Sequence, residues 1–295
     1  MQLKDPFSIY DFLGYLFPGL LFCILIKIGY YIEPPVHAST FFYEASTVAF
    51  SWKEVIPFIV IAYVAGHFVS YFSSLTVEPF LVWSYGYPSD FLLDKSYKRN
   101  YFSINDQVGK GLSRLWKIVV ALILLPIVLS SLIFGRLLRF RFYVLKPLDD
   151  ELCKAIKEKT KGLMDMLSIN YEDERYDYHR IIMHYCYENY NNHISKYNNY
   201  VALYGFLRAI TLLCDWFFWY CCYSGIKTID LKLSWRCIDI KAILFILFIL
   251  VITYIFYLGF VKFYRRFTLE NYMSIVQDSK IKVPQNNKFT GKTTH

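Results

Sequence analysis

Apolar and polar stretches alternate along this chain with a period set by lipid rather than by a soluble core. Five apolar segments stand out, at 12–31, 55–75, 118–135, 201–223 and 242–261, and they hold 20, 21, 18, 23 and 20 residues. A helix that crosses the hydrocarbon of a bilayer needs roughly 20 mostly apolar residues. The stretches between the segments are polar and charged. The pattern predicts an all-α polytopic membrane bundle of four or five spans, carrying a small helical hairpin in water.

Breakers and periodicity refine that outline. Pro18 and Gly19 predict a kink one third of the way into the first segment. Pro126 is the breaker inside the third. Residues 147–151 read Pro-Leu-Asp-Asp-Glu, a helix start with acids in its first turn. Leu152, Ala155, Ile156, Leu163, Met166 and Leu167 then recur at helical spacing. A second periodic run begins near Tyr178 and leads into the fourth segment. It predicts a helical hairpin whose second arm is continuous with that segment, a rod of roughly 70 Å at 1.5 Å per residue. Four regions follow: an N-terminal membrane part (1–135), the hairpin or stalk (136–200), two further membrane helices (201–261) and a basic tail (262–295). The polar end of that tail, 284–295, is expected to be disordered.

Composition agrees with lipid. Hydrophobic residues make up 56% of the 295 residues with only 13 glycines, and the mean hydropathy is +0.30. The chain has 27 tyrosines and 26 phenylalanines, and Tyr and Trp concentrate near segment ends (Tyr10, Tyr30, Tyr31, Trp52, Trp116, Tyr200 and Tyr223), as in interfacial belts; an A/T-rich genome favouring Tyr and Phe produces the same excess. The seven cysteines form no paired framework and read as small apolar residues. No cleavable signal peptide is expected, because the first segment is too long for one.

Charge sets orientation. Lys and Arg number 1 in residues 1–11, 1 in 32–54, 6 in 76–117, 11 in 136–200, 4 in 224–241 and 7 in 262–295. Five true spans give at best 19 basic residues inside against 11 outside. A re-entrant third segment gives 25 against 5. Positive-inside bias thus favours four spans plus a re-entrant segment, while length and apolarity favour five. Either arrangement places 136–200 and the C-terminus in the cytoplasm, in what reads as a bacterial inner membrane. The net charge of +8 meets anionic lipid in this setting. Nucleic acid is not an expected partner, since the basic residues are interspersed with acids.

The candidate polar chemistry lies within the apolar segments. Arg208 and Asp215, seven apart, share one helix face with Thr211 between them. Ionisable groups at such depth face a bundle interior or a water-filled path, unless Arg208 snorkels to the headgroups. Lys27, four residues from the end of its segment, is expected to snorkel. His67 follows Gly66 near the middle of the second segment and is expected in a hydrogen-bonded position inside the bundle. Glu78 is expected in the solvated interface. His179, His184, Cys186 and His193 have the wrong spacing for a compact metal site. No phosphate loop, nucleophile elbow or metalloprotease pattern is present. The chain reads as a non-enzyme without cofactor or metal.

Two stretches carry a resemblance. The run Tyr10–Gly19, with its Gly-Tyr-Leu-Phe-Pro-Gly, and the run Leu203–Arg208, Leu-Tyr-Gly-Phe-Leu-Arg, are similar to the opening and a late helix of a loose group of bacterial multi-pass membrane proteins. The resemblance implies a component of a stress or anti-phage system and gives Pro18, Gly19 and Arg208 a role beyond packing. It transfers no catalytic residue. The expected function is a membrane effector or channel-like protein, homo-oligomeric, that perturbs the bilayer when a cytoplasmic signal or protein partner engages it. The alternatives are an anchor that tethers a soluble partner and an interfacial lipid-modifying enzyme.

Overall fold

The computed structural model describes residues 11–31, 52–93, 101, 110–137, 145–171, 177–232 and 240–282. Residues 32–51 of the external loop expected at 32–54 lie outside them, as does the tail at 284–295; residues 52–54 instead begin a helix. The described residues are mostly helical, with no strand among them. Helix α1 (Phe17–Tyr31) follows a π-helical turn at Phe12–Leu16; α2 is Trp52–Tyr85, α3 Pro88–Leu92 and α4 Lys110–Ile123. Helix α5 (Leu125–Ser130) continues into a second π-helical turn at Ser131–Leu137. Then come α6 (Asp150–Met166), α7 (His179–Asn189), a 3-10 turn at Asn191–His193, α8 (Ile194–Lys232) and α9 (Ile240–Gln277).

Stretches of α2, α8 and α9 are long and apolar enough to cross a membrane; α4 and α5 add a fourth if taken as one bent span, and the stretch Phe12–Lys27 is apolar but shorter. These helices form the apolar half of the molecule. Three of them reach well past the apolar segments read from the sequence. Helix α2 has 34 residues, runs through Pro57 and Pro79, and ends at Gly86, whose φ of 89° allows the left-handed turn that closes a helix. Helices α8 and α9 have 39 and 38 residues, so α8 runs through 200/201 and α9 through 261/262.

At the far end of α8 and α9 sits a compact lobe. Its core joins Leu92 and Leu93 to Cys153, Ile156, Leu163 and Met164 of α6, Ile182 and Cys186 of α7, Tyr197 of α8, and Phe267, Tyr272 and Ile275 of α9. Helix α6 starts where its acids place it, with Asp149 accepting the Leu152 amide at 2.8 Å as a side-chain cap. The continuous rod expected from Tyr178 onward is not formed. Helix α7 stops at Asn189, and Tyr190 at φ −118°, ψ 65° turns the chain into α8. The cause is tertiary: the Tyr190 hydroxyl is held at 2.6 Å by the carboxylate of Asp278, and α7 folds back onto α9. The expected stalk is therefore a packed lobe.

Two of the predicted breakers act in their own ways. Pro126 accompanies an 80° bend between α4 and α5, with Leu124 at φ −92°, ψ 26° as the joint. The expected kink at Pro18 is resolved one turn earlier. A proline at 18 offers no N–H to Gly14 and crowds its carbonyl; the preceding turn widens, and the Phe17 amide reaches back to the Phe12 carbonyl. Gly19 is bare for a different reason. A Cβ there would run into the main chain at Ala62, and one on Gly66 into the carbonyl of Tyr15. Helices α1 and α2 thus cross with their backbones touching, as small residues permit.

Candidate functional site

The polar groups of the apolar half gather between α2 and α8. Arg208 does not snorkel. Its Nε donates to Ser73 Oγ at 3.2 Å, and its Nη1 forms an ion pair with Glu78. The Arg208 side chain is 11% exposed and that of Glu78 29%. Glu78, expected in the solvated interface, is instead the counter-ion of Arg208, because α2 continues as a helix past Leu75 and carries it to the facing turn of α8. Ser73 and Thr76 are fully buried beside this pair. Each returns its hydroxyl proton to its own helix, to Ser70 O at 2.8 Å and to Phe72 O at 2.9 Å.

Asp215 lies two turns further along α8, about 10 Å from Arg208 by helical rise. It is fully buried, and neither carboxylate oxygen has a hydrogen-bond partner among the described residues. Its direction follows from its neighbours on the same helix face. Leu212, one turn toward the lobe, is in the cluster that holds Leu124 and Ile127. Trp219, one turn the other way, donates its Nε1–H to the Ile123 carbonyl at 2.8 Å. Asp215 therefore faces the joint between α4 and α5. The same joint is braced by Ser130 Oγ, which reaches Pro126 O at 2.6 Å and Leu250 O of α9 at 3.3 Å. Pro126 itself is buried. Irregular backbone among apolar helices survives where side chains and neighbouring helices cover it, and here Trp219 and Ser130 do so.

The other candidates stand apart from this seam. His67 is exposed on α2, contrary to its expected place inside the bundle. Its ring stacks on Tyr15 at 3.9 Å and meets Tyr63 edge-on at 4.7 Å, because Gly66 next to it takes the crossing with α1. Lys27 is half-buried near the end of α1. Pro18 and Gly19 are buried at the α1–α2 crossing. The two stretches that carry the family resemblance meet there, with Phe17 edge-on to Phe206 at 5.5 Å.

A second polar cluster ties the lobe together, and sequence reasoning missed it. Asp278 accepts from Tyr185 at 3.0 Å and Tyr190 at 2.6 Å, while Lys159 Nζ donates to the carbonyls of Asp278 at 2.6 Å and Ile281 at 2.8 Å. Burial pushes the Asp278 carboxyl up, but the bonds from Tyr190, the Lys280 amide and Tyr185 outweigh it and hold it below the usual carboxylate range. Burial, and then Asp278, raise both tyrosines. Burial also lifts Cys186 to about 12 and lowers His179 to about 4, against a smaller opposing pull from Asp177. The described histidines, cysteines and acids form no group of three able to hold a metal ion.

Comparison of the chain with protein-family models, with curated proteins and with solved structures finds no match.

Proposed function

We propose that the chain is an integral membrane protein whose apolar half lies in a bacterial inner membrane and whose lobe faces the cytoplasm. It acts there, in several copies, as a channel-like effector that perturbs the membrane when a partner engages the lobe. One observation carries this reading: α8 and α9 each run unbroken from the core of the lobe into the apolar half. A helix without a joint passes rotation and tilt along its length, so a change at Tyr197 reaches Arg208, and through it Glu78, along α8 itself. The centre of a single copy is filled by Leu81, Leu124, Leu212, Tyr257 and Phe260, all fully or almost fully buried. A conducting path thus belongs between copies, along outward faces such as that of α2. A role in stress or anti-phage defence rests on the resemblance of residues 10–19 and 203–208 alone.

The test has two arms. Single cysteines at Lys157 and Lys282, in a background without the native cysteines, are expected to resist an impermeant maleimide added from outside intact cells; labelling of either would reverse the orientation. A probe at Lys98 then decides whether the bent α4–α5 pair crosses or turns back. Mass measurement in mild detergent and ion flux from liposomes decide the effector half. An oligomer that releases ions supports it. A monomer that gives no flux with its lobe engaged would leave an anchor that only tethers a soluble partner.

A further inference from the structure

Asp215 puts a carboxylate where none of the contacts above neutralises it. It is fully buried, and both oxygens lack a partner among the described residues. A bare charge in such surroundings is not tolerated without compensation. Arg208 is two turns away and is engaged by Glu78 and Ser73. On the elements packed around it, residues 243–261 of α9 and 125–135 of the α5 region contain no Lys, Arg, His, Asp or Glu. Helix α4 carries Lys110, Arg114 and Lys117; Arg114 is exposed, and the Lys117 ammonium lies over the Trp83 ring at 5.4 Å.

What shares the level of Asp215 is oxygen. Leu212 is clustered with Tyr254 and Tyr257 of α9, and Phe218 with Ile249 and Leu250, so Asp215 lies level with 250–254. Thr253 is there, fully buried, and so is Ser130, 3.3 Å from the Leu250 carbonyl. Thr211 precedes Asp215 by one turn on the same face. All three hydroxyls give their proton to their own helix: Thr211 to Leu207 O at 2.7 Å, Thr253 to Ile249 O at 2.8 Å and Ser130 to Pro126 O at 2.6 Å. A hydroxyl has one proton and two lone pairs, so these three offer outward only acceptor oxygen. The level combines a negative charge with an excess of acceptors over donors.

We propose that the Asp215 carboxylate, with the hydroxyl oxygens of Thr211, Thr253 and Ser130, binds a dehydrated alkali cation. One carboxylate balances one positive charge, whereas dedicated calcium sites gather several acidic ligands, and the described acids form no such set here. The joint between α4 and α5 lies beside the site and gives the ion its route in, as broken helices do at ion sites in other membrane folds. The inference goes beyond the effector reading: it holds for an anchor as well as for a channel.

The test is thermal melting of the full chain in detergent at fixed pH and ionic strength, in sodium, potassium or N-methylglucamine chloride. A bound cation stabilises by mass action, so sodium or potassium is expected to raise the midpoint in a saturable way. Asp215→Asn, which keeps the shape and removes the charge, should abolish the rise. Thr253→Val serves if that variant does not fold, and should shift saturation to several-fold higher salt. The proposal is overturned by equal midpoints in the three salts, or by an unchanged salt dependence in the variant that folds. Equal midpoints would mean that a proton alone neutralises Asp215.

Discussion

In the lobe, Ile156, Leu163 and Met164 are fully buried while Lys154, Lys161 and Asp165 of the same helix face outward. In the apolar half the arrangement is inverted. Ile56 and Val64 of α2 are 75% and 64% exposed, and Leu244 and Ile255 of α9 are both 59% exposed, while Ser73, Thr211, Asp215 and Thr253 are fully buried. The lobe is ordered by removing apolar surface from water. That force cannot account for helices that leave their isoleucines outside; an exposed apolar belt of this kind is consistent with helices that cross a membrane. Cohesion there comes from touching backbones at Gly19 and Gly66, from aromatic contacts and from polar pairing at Arg208.

Substitutions at bare backbone should separate the halves most widely. Gly66→Leu drives a side chain into the Tyr15 carbonyl, where only main chain can yield. It is expected to cost more than about 4 kcal/mol and leave no monodisperse protein on size-exclusion chromatography. Gly162→Leu in the lobe meets the Lys282 carbonyl of the C-terminal segment, and should do no more than expose that segment to limited proteolysis. Next in size is Arg208→Ala, which strands Glu78 opposite an apolar gap. The partial exposure of Glu78 brings the expected loss down to roughly 2 kcal/mol. Arg208→Ala/Glu78→Ala should recover part of it in chemical unfolding.

The lobe alone should respond to mild acid. His179 is neutral in the fold with its pKa lowered to about 4, against about 6.5 when unfolded. The unfolded chain therefore binds the extra proton first, and stability falls as pH drops from 6.5 toward 4. The expected loss is roughly 2 kcal/mol by pH 5, and His179→Phe should flatten the profile. Smallest is Lys196→Ala, which removes an ion pair with Glu270 at 2.6 Å. The lysine is about half exposed, so the change should stay below about 0.5 kcal/mol.

What the sequence reveals divides along the same line. Apolar stretches and the Asp149 cap are local signals, and they fall where α1, α2, α6, α8 and α9 form. Pro126 marks the bend as a breaker should. The end of α7 was hidden, because residues 189–192 contain no glycine or proline and the periodicity runs on; Asp278, 88 residues away, makes the turn. Glu78 was hidden for a similar reason. The apolar pattern ends at 75, yet α2 runs on through Pro79 with the hydroxyls of Ser73, Ser74 and Thr76 bonded back along the preceding turns. Arg208 did carry a usable clue: an arginine within an apolar helix requires an acid, and Glu78 is one of the two that flank the second segment, with Glu54 at its other end. Asp215 was expected to face the bundle interior or a water-filled path; it is fully buried within the chain.

The crossing of α1 and α2 has a consequence for how the chain is made. The surface that Gly19 is left bare to meet belongs to Ala62 and Gly66, which leave the ribosome more than forty residues later. At roughly 5–20 residues per second, α1 waits between about 2 and 10 seconds for its partner. During that interval a short apolar helix has no mate of its own. Its survival in the cell depends on whatever insertion machinery or chaperone shelters it until α2 arrives.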